Sequence, residues 1–114
     1  MKIKEYFKDS ELGCKCGCGM LPQIEAVERL YAMRLIFGIP LIINSAARCG
    51  EHNKKVGGAE HSKHLAGVAF DISTNGLYKE LIKSVAKLAG FSGIGIGQNF
   101  IHVDIRENAA EWTY

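Results

Sequence analysis

The feature that most constrains this chain is a short alternating run, Val68–Ile72, with one acid in it. Val68, Phe70 and Ile72 alternate with Ala69 and Asp71, the two-residue period of a half-buried strand. Three large apolar side chains go to one face and Asp71 to the other. A carboxylate on a buried strand is costly unless it is paired or bound to a cation. His64 lies on the loop entering the strand, placed to fold back towards Asp71.

A second run, Phe100–Arg106, alternates in the same way. Ile101, Val103 and Ile105 take one side, and Phe100, His102, Asp104 and Arg106 the other. His102 then completes a set of two histidines and one carboxylate drawn from a loop and two strands. Three such ligands leave a fourth tetrahedral position open, which is the arrangement of a catalytic zinc rather than a structural one. The competing reading pairs Asp71 with Arg48 or a histidine and leaves both histidines simply hydrogen-bonded.

At 114 residues, with 47% hydrophobic and 23% charged, the chain reads as a single domain over 1–114 with a core of its own. A formal net charge of +2 gives no case for nucleic acid as a partner, and no apolar run approaches the ~20 residues of a membrane span. The start, MKIKEYFKDSELG, is basic but has no apolar core for a secretory signal, so synthesis and retention in the cytoplasm are expected unless something releases the protein.

Helical spacing of Ile24, Val27, Leu30, Tyr31 and Leu35 predicts a helix from Pro22 to Phe37, ended by Gly38 and Pro40. A second is expected from Leu77 to Ala89, with Leu77, Leu81, Val85 and Leu88 as its apolar stripe and Gly90 as its stop. Leu41–Asn44 reads as a short buried strand, and 45–67 as a long functional loop with one helical turn. FSGIGIG and FIHVDIR form a hairpin around Gly97–Asn99. The expected class is α+β: a small, mostly antiparallel sheet packed against two main helices. The lone Trp112, in a polar tail, reads as a packing residue.

Four cysteines crowd into CKCGCG (Cys14, Cys16, Cys18) and ARCG (Cys49). Tight spacing with glycines suits a metal knuckle better than a spread disulfide framework. A structural zinc, a disulfide from Cys49 to one of the three, and free thiols all stay open.

The motifs together resemble the M15 family of zinc peptidases, especially its short D-Ala-D-Ala carboxypeptidase-like branch found in phage endolysins. The pattern runs through Ser45 and Arg48, Asn53 with Gly57 and Gly58, Ser62 to Asp71, and His102 with Asp104, over roughly residues 4 to 106. The resemblance implies a hedgehog/DD-peptidase-like scaffold, one catalytic zinc on His64, Asp71 and His102, and peptidoglycan stem peptides as substrate. It implies that Arg48 holds a substrate carboxylate or developing oxyanion and that Ser62 hydrogen-bonds substrate. The implied setting is a phage or prophage lysin released through a holin-type pore and acting on the cell wall as a monomer.

One departure stands out. Several branches carry a glutamate three residues before the last histidine as general base, and here that position is Asn99, which cannot take a proton. Asp104 is the replacement that strand alternation favours, as catalytic base or as a group orienting a ligand, with His61 behind it. Two rivals follow: a non-catalytic zinc-binding module, and a non-haem iron oxygenase using the same ligand set. The second needs more strands than this chain offers.

Overall fold

A computed structural model describes residues 6–114. Its elements in chain order are α1 (Asp9–Leu12), α2 (Ile24–Phe37), β1 (Ile43–Ser45), α3 (Gly50–Lys55), β2 (Ala69–Ser73), α4 (Lys79–Leu88), β3 (Gly93–Ile96), β4 (Phe100–Asp104) and β5 (Ala110–Thr113). The class is α+β. The sheet order is β1-β2-β4-β3-β5, and it is mixed rather than wholly antiparallel. Three pairings are antiparallel and the last, β3 with β5, is parallel. The parallel pair needs no helical crossover because β5 follows β4, not β3. The chain leaves β4, passes the end of β3 and returns alongside it over residues 105–109. No helix among the described residues is long and apolar enough to cross a membrane.

The core lies between one sheet face and the two long helices. Phe70, Ile72, Ile94, Ile101 and Val103 cover that face, as the alternation in both strands predicts. α2 buries Ala26, Val27, Leu30 and Met33 against them and ends on Gly38, whose φ of 81° turns the chain out of the helix. α2 starts at Ile24, two residues later than expected, and Ile24 and Leu35 of its predicted stripe are exposed.

The stripe of α4 is also corrected. Ile82, Val85, Ala86 and Ala89 are buried, while Leu81 is 55% and Leu88 74% exposed. The segment carries two apolar sets at helical spacing, and the one with two alanines faces inwards. Small side chains let the helix axis approach its neighbours closely, so packing decides between faces that periodicity leaves equivalent. The first strand lies at 43–45, and its approach alternates rather than being buried throughout: Leu41 and Ile43 point in while Ile42 is 65% exposed. The single helical turn expected within 45–67 is α3.

Urea unfolding should separate the two α4 faces. Ile82→Ala is expected to lower stability by ~2–5 kcal/mol, the range for deleting a buried aliphatic side chain. Leu81→Ala should stay within about 1 kcal/mol of the parent, because its side chain is largely in water already. Equal losses at the two positions would contradict the observed helix orientation.

Candidate metal centre and its cleft

The sheet face turned away from α2 and α4 carries the centre. One row of residues crosses all five strands: Ser45, Asp71, His102, Gly95 and Trp112. Asp71 stands directly opposite His102, so register alone puts carboxylate and imidazole side by side. His102 Nδ1 is 3.0 Å from Asp71 Oδ1. His64 reaches the same carboxylate from the 46–68 segment, with Nε2 3.2 Å from Oδ2.

The far side of each ring sets where its proton sits. His64 Nδ1 donates to the carbonyl oxygen of Ala46 at 2.6 Å. His102 Nε2 donates to Asp104 Oδ2 at 2.7 Å. Neutral rings held this way aim bare lone pairs, on His64 Nε2 and His102 Nδ1, at a carboxylate. That juxtaposition is repulsive unless something positive lies between. His64 Nε2 is buried and has no hydrogen-bond partner, and one donor atom from each of His64, Asp71 and His102 lies within 4.8 Å of the others. A cation resolves the mismatch, and two imidazole nitrogens with one carboxylate oxygen are a donor set suited to zinc.

The electrostatics of the centre favour positive charge beside an ionised Asp71. Burial would raise the pKa of Asp71, but the neighbouring His102 and His64 rings prevail and hold the carboxyl well below the usual range. Burial lowers the proton affinity of His102, while Asp104 and Asp71 outweigh it and raise it.

Asp104 is not where strand alternation alone would make it useful as a base. It is fully buried behind His102 and is absent from the cleft walls. Arg106 forks onto it, Nε to Oδ1 at 2.7 Å and Nη2 to Oδ2 at 2.5 Å. Burial pushes Asp104 up, but Arg106 and His102 outweigh this and bring it to about 2. A carboxylate so engaged orients the His102 ring and fixes its tautomer. Asn99 is exposed in the β3–β4 turn and also lies outside the cleft walls.

A cleft of about 560 Å³ opens over the centre, with Arg48, His61, Ser62, Lys63, Arg106 and Trp112 in its walls. Arg48 donates to Ser45 Oγ at 3.1 Å, Asn53 Oδ1 at 3.0 Å and Asp71 Oδ2 at 3.3 Å. Both of its readings are therefore visible: it pairs with Asp71, and it faces the cleft. Asn53 is buried on α3 and donates to Ala59 O at 2.9 Å, which ties the loop back onto the arginine. Ser62 Oγ accepts from the backbone N–H of His64 at 3.2 Å, a turn contact that places the histidine.

The sequence reading missed the last strand. Trp112 lies with its ring centre 5.4 Å from that of His102, the two rings tilted by 45°, carries the Arg106 guanidinium 4.8 Å above its ring, and joins Tyr114 in the cleft wall. Two signals were present. Ala110, Trp112 and Tyr114 alternate, and so do Gly93, Gly95 and Gly97 on the facing side of β3. A side chain at Gly93 would collide with Asp104 and Arg106, and one at Gly95 with Trp112. The glycines mark where the site needs room.

A family model described as Peptidase M15 matches residues 5–104. The chain belongs to the M15 peptidase family. Members are zinc-dependent metallopeptidases, and the matched span holds His64, Asp71 and His102. No curated protein sequence matches the chain. In this M15 peptidase β5, with Trp112 and Tyr114, lies beyond the matched span. A second convergence, of Cys14, Cys16, Cys18 and Cys49, stands apart from it.

Asp104→Ala should lower folding stability by ~3–5 kcal/mol, the range for removing one partner of a buried ion pair. Denaturant unfolding of metal-free protein measures it. Parent-like stability would contradict the anchoring role read from these contacts.

Proposed function

We propose that this M15 peptidase hydrolyses peptide bonds involving D-alanine in the stem peptides of bacterial peptidoglycan, as a D-Ala-D-Ala carboxypeptidase or an endopeptidase on a hedgehog/DD-peptidase-like scaffold. The observation that carries the reading is the aim of His64 Nε2, Asp71 and His102 Nδ1 at one point beneath the cleft, with the His64 atom orphaned. Those three residues would hold zinc, which when bound polarises a carbonyl and lowers the pKa of a coordinated water.

The rest falls to the chain's own groups. Arg48, Lys63 and Arg106 make the cleft basic, with Asp71 as the one acid in its walls among the described residues. A peptide ending in a free carboxylate is the complementary ligand. Arg48 uses three of its N–H groups on Ser45, Asn53 and Asp71, which pre-orients the guanidinium and leaves others for that carboxylate. Trp112 and Tyr114 wall one side of the cleft. With Asp104 enclosed, His61 in the cleft wall takes the role of carrying a proton to the leaving amine. A phage or prophage lysin working as a monomer on the wall is the setting that the motifs suggest.

The lack of a second carboxylate in the cleft walls among the described residues favours one alternative, a metal-binding module without catalysis. Zinc-loaded protein mixed with a synthetic stem peptide ending in D-Ala-D-Ala, and separately with cell-wall sacculi, distinguishes the two. Free D-alanine or shortened stem peptides are expected, lost with chelator or with His64→Ala and restored to the chelated parent by zinc. Neither product from either substrate would leave the module reading.

His61→Ala is expected to retain zinc while turnover falls by ~100- to 10,000-fold, the usual contribution of a positioned proton carrier. Unchanged kcat would remove His61 from that role.

A further inference from the structure

The four cysteines lie in two segments that meet beside Arg48. Cys14, Cys16 and Cys18 follow α1, and Cys49 caps the N-terminus of α3. Their Sγ atoms are separated by 3.4 Å (Cys14–Cys16), 3.6 Å (Cys16–Cys49) and 3.8 Å (Cys14–Cys49), and all four fall within 4.8 Å of one another. All four are free thiols. Apolar burial does not explain the cluster, since Cys16 and Cys18 are exposed. Four sulfurs around one zinc at about 2.3 Å stand about 3.8 Å apart in a tetrahedron, close to the spacings among Cys14, Cys16 and Cys49.

The backbone is shaped for the same purpose. Gly17 and Gly19 adopt φ of 84° and 92°, a left-handed conformation open to glycine. They fold the segment back so that Cys14 N–H donates to Met20 O at 2.9 Å and Gly17 N–H to Cys14 O at 3.1 Å. Two further backbone groups donate to sulfur, Cys49 N–H to Cys14 Sγ and His52 N–H to Cys49 Sγ, each at 3.4 Å. Such donors stabilise sulfur as thiolate, the form that binds metal.

We propose that Cys14, Cys16, Cys18 and Cys49 form a second, structural metal site that takes a zinc-class divalent cation in a closed tetrathiolate shell. Four thiolates leave no position for water, so the site does no chemistry of its own. Its work is to pin the segment after α1 to the loop that carries Arg48. Cys49 is the neighbour of Arg48, and the helix it caps supplies Asn53, which holds the guanidinium. A contact from Ala47 N–H to Leu12 O at 3.3 Å joins the same two segments. The site stands independently of the peptidase reading.

Cobalt(II) titration of the metal-free protein tests it. A tetrathiolate shell gives an intense sulfur-to-cobalt charge-transfer band in the near ultraviolet, whereas the His64–Asp71–His102 centre has no sulfur to give one. The band is expected in the parent, bleached by zinc, and retained in full by His64→Ala. Cys16→Ser/Cys18→Ser should lose it and bind one metal ion fewer by native mass spectrometry. No band in the parent, a band unaffected by the double substitution, or a mass short of a pair of hydrogens in unreduced protein would overturn the proposal. Because the parent and His64→Ala carry the decisive readout, poor folding of the cysteine variant would not shield it, and a failed catalytic centre would leave the band unchanged.

Discussion

The pairing of Asp71 with His102 across β2 and β4 is the constraint on which the rest of the structure depends. Register in a sheet has a period of two, so a slip of one residue would turn Asp71 into the core and Phe70 out of it. The core thus enforces the site: Phe70, Ile72, Ile101 and Val103, each fully buried, admit one alignment of the two strands. Once it is set, a carboxylate lies on the far face with little solvent. It stays there because His64, His102 and Arg48 surround it.

Support for these groups is arranged in layers. The two histidines are oriented by unlike partners, a backbone carbonyl at Ala46 for His64 and the Asp104–Arg106 pair for His102. Ser92 in turn holds Arg106, accepting from its N–H at 2.7 Å and donating to its carbonyl at 2.8 Å. One histidine therefore rests on the sheet, and the other on the segment between β1 and β2. The sheet half is rigid by virtue of its pairing. The loop half relies on Asn53 and on the convergence of cysteines beside Arg48, the kind of outer support that keeps a polar site in its working geometry.

β3 shows how the fold meets two demands with one strand. Glycine is a poor strand residue, since it loses more chain entropy and packs nothing. Here Ile94 and Ile96 supply the core face, and the glycines between them leave space that Asp104, Trp112 and Phe100 fill. Two strand pairings, to β4 and to β5, offset the weakness.

Much of this was legible in the residues. Alternation in VAFDI and FIHVDIR assigned both strands, their core faces and the shared face of His102 and Asp104, because strand geometry leaves side chains two directions only. The helix stops at Gly38 and Gly90 and the hairpin at Gly97–Asn99 followed from local backbone chemistry in the same way. Residue types also marked His64 and Asp71 as partners, and the spacing of four cysteines as a cluster. Tertiary structure decided what local patterns leave degenerate. α4 has two usable apolar faces, and close packing through Ala86 and Ala89 chose between them. β5 is a short polar run that becomes a strand only because β3 offers a free edge, and this brings Trp112 to the cleft. Sharing a face with His102 made Asp104 look available to substrate. Depth, which no one-dimensional period encodes, put it behind the ring and under Arg106 instead.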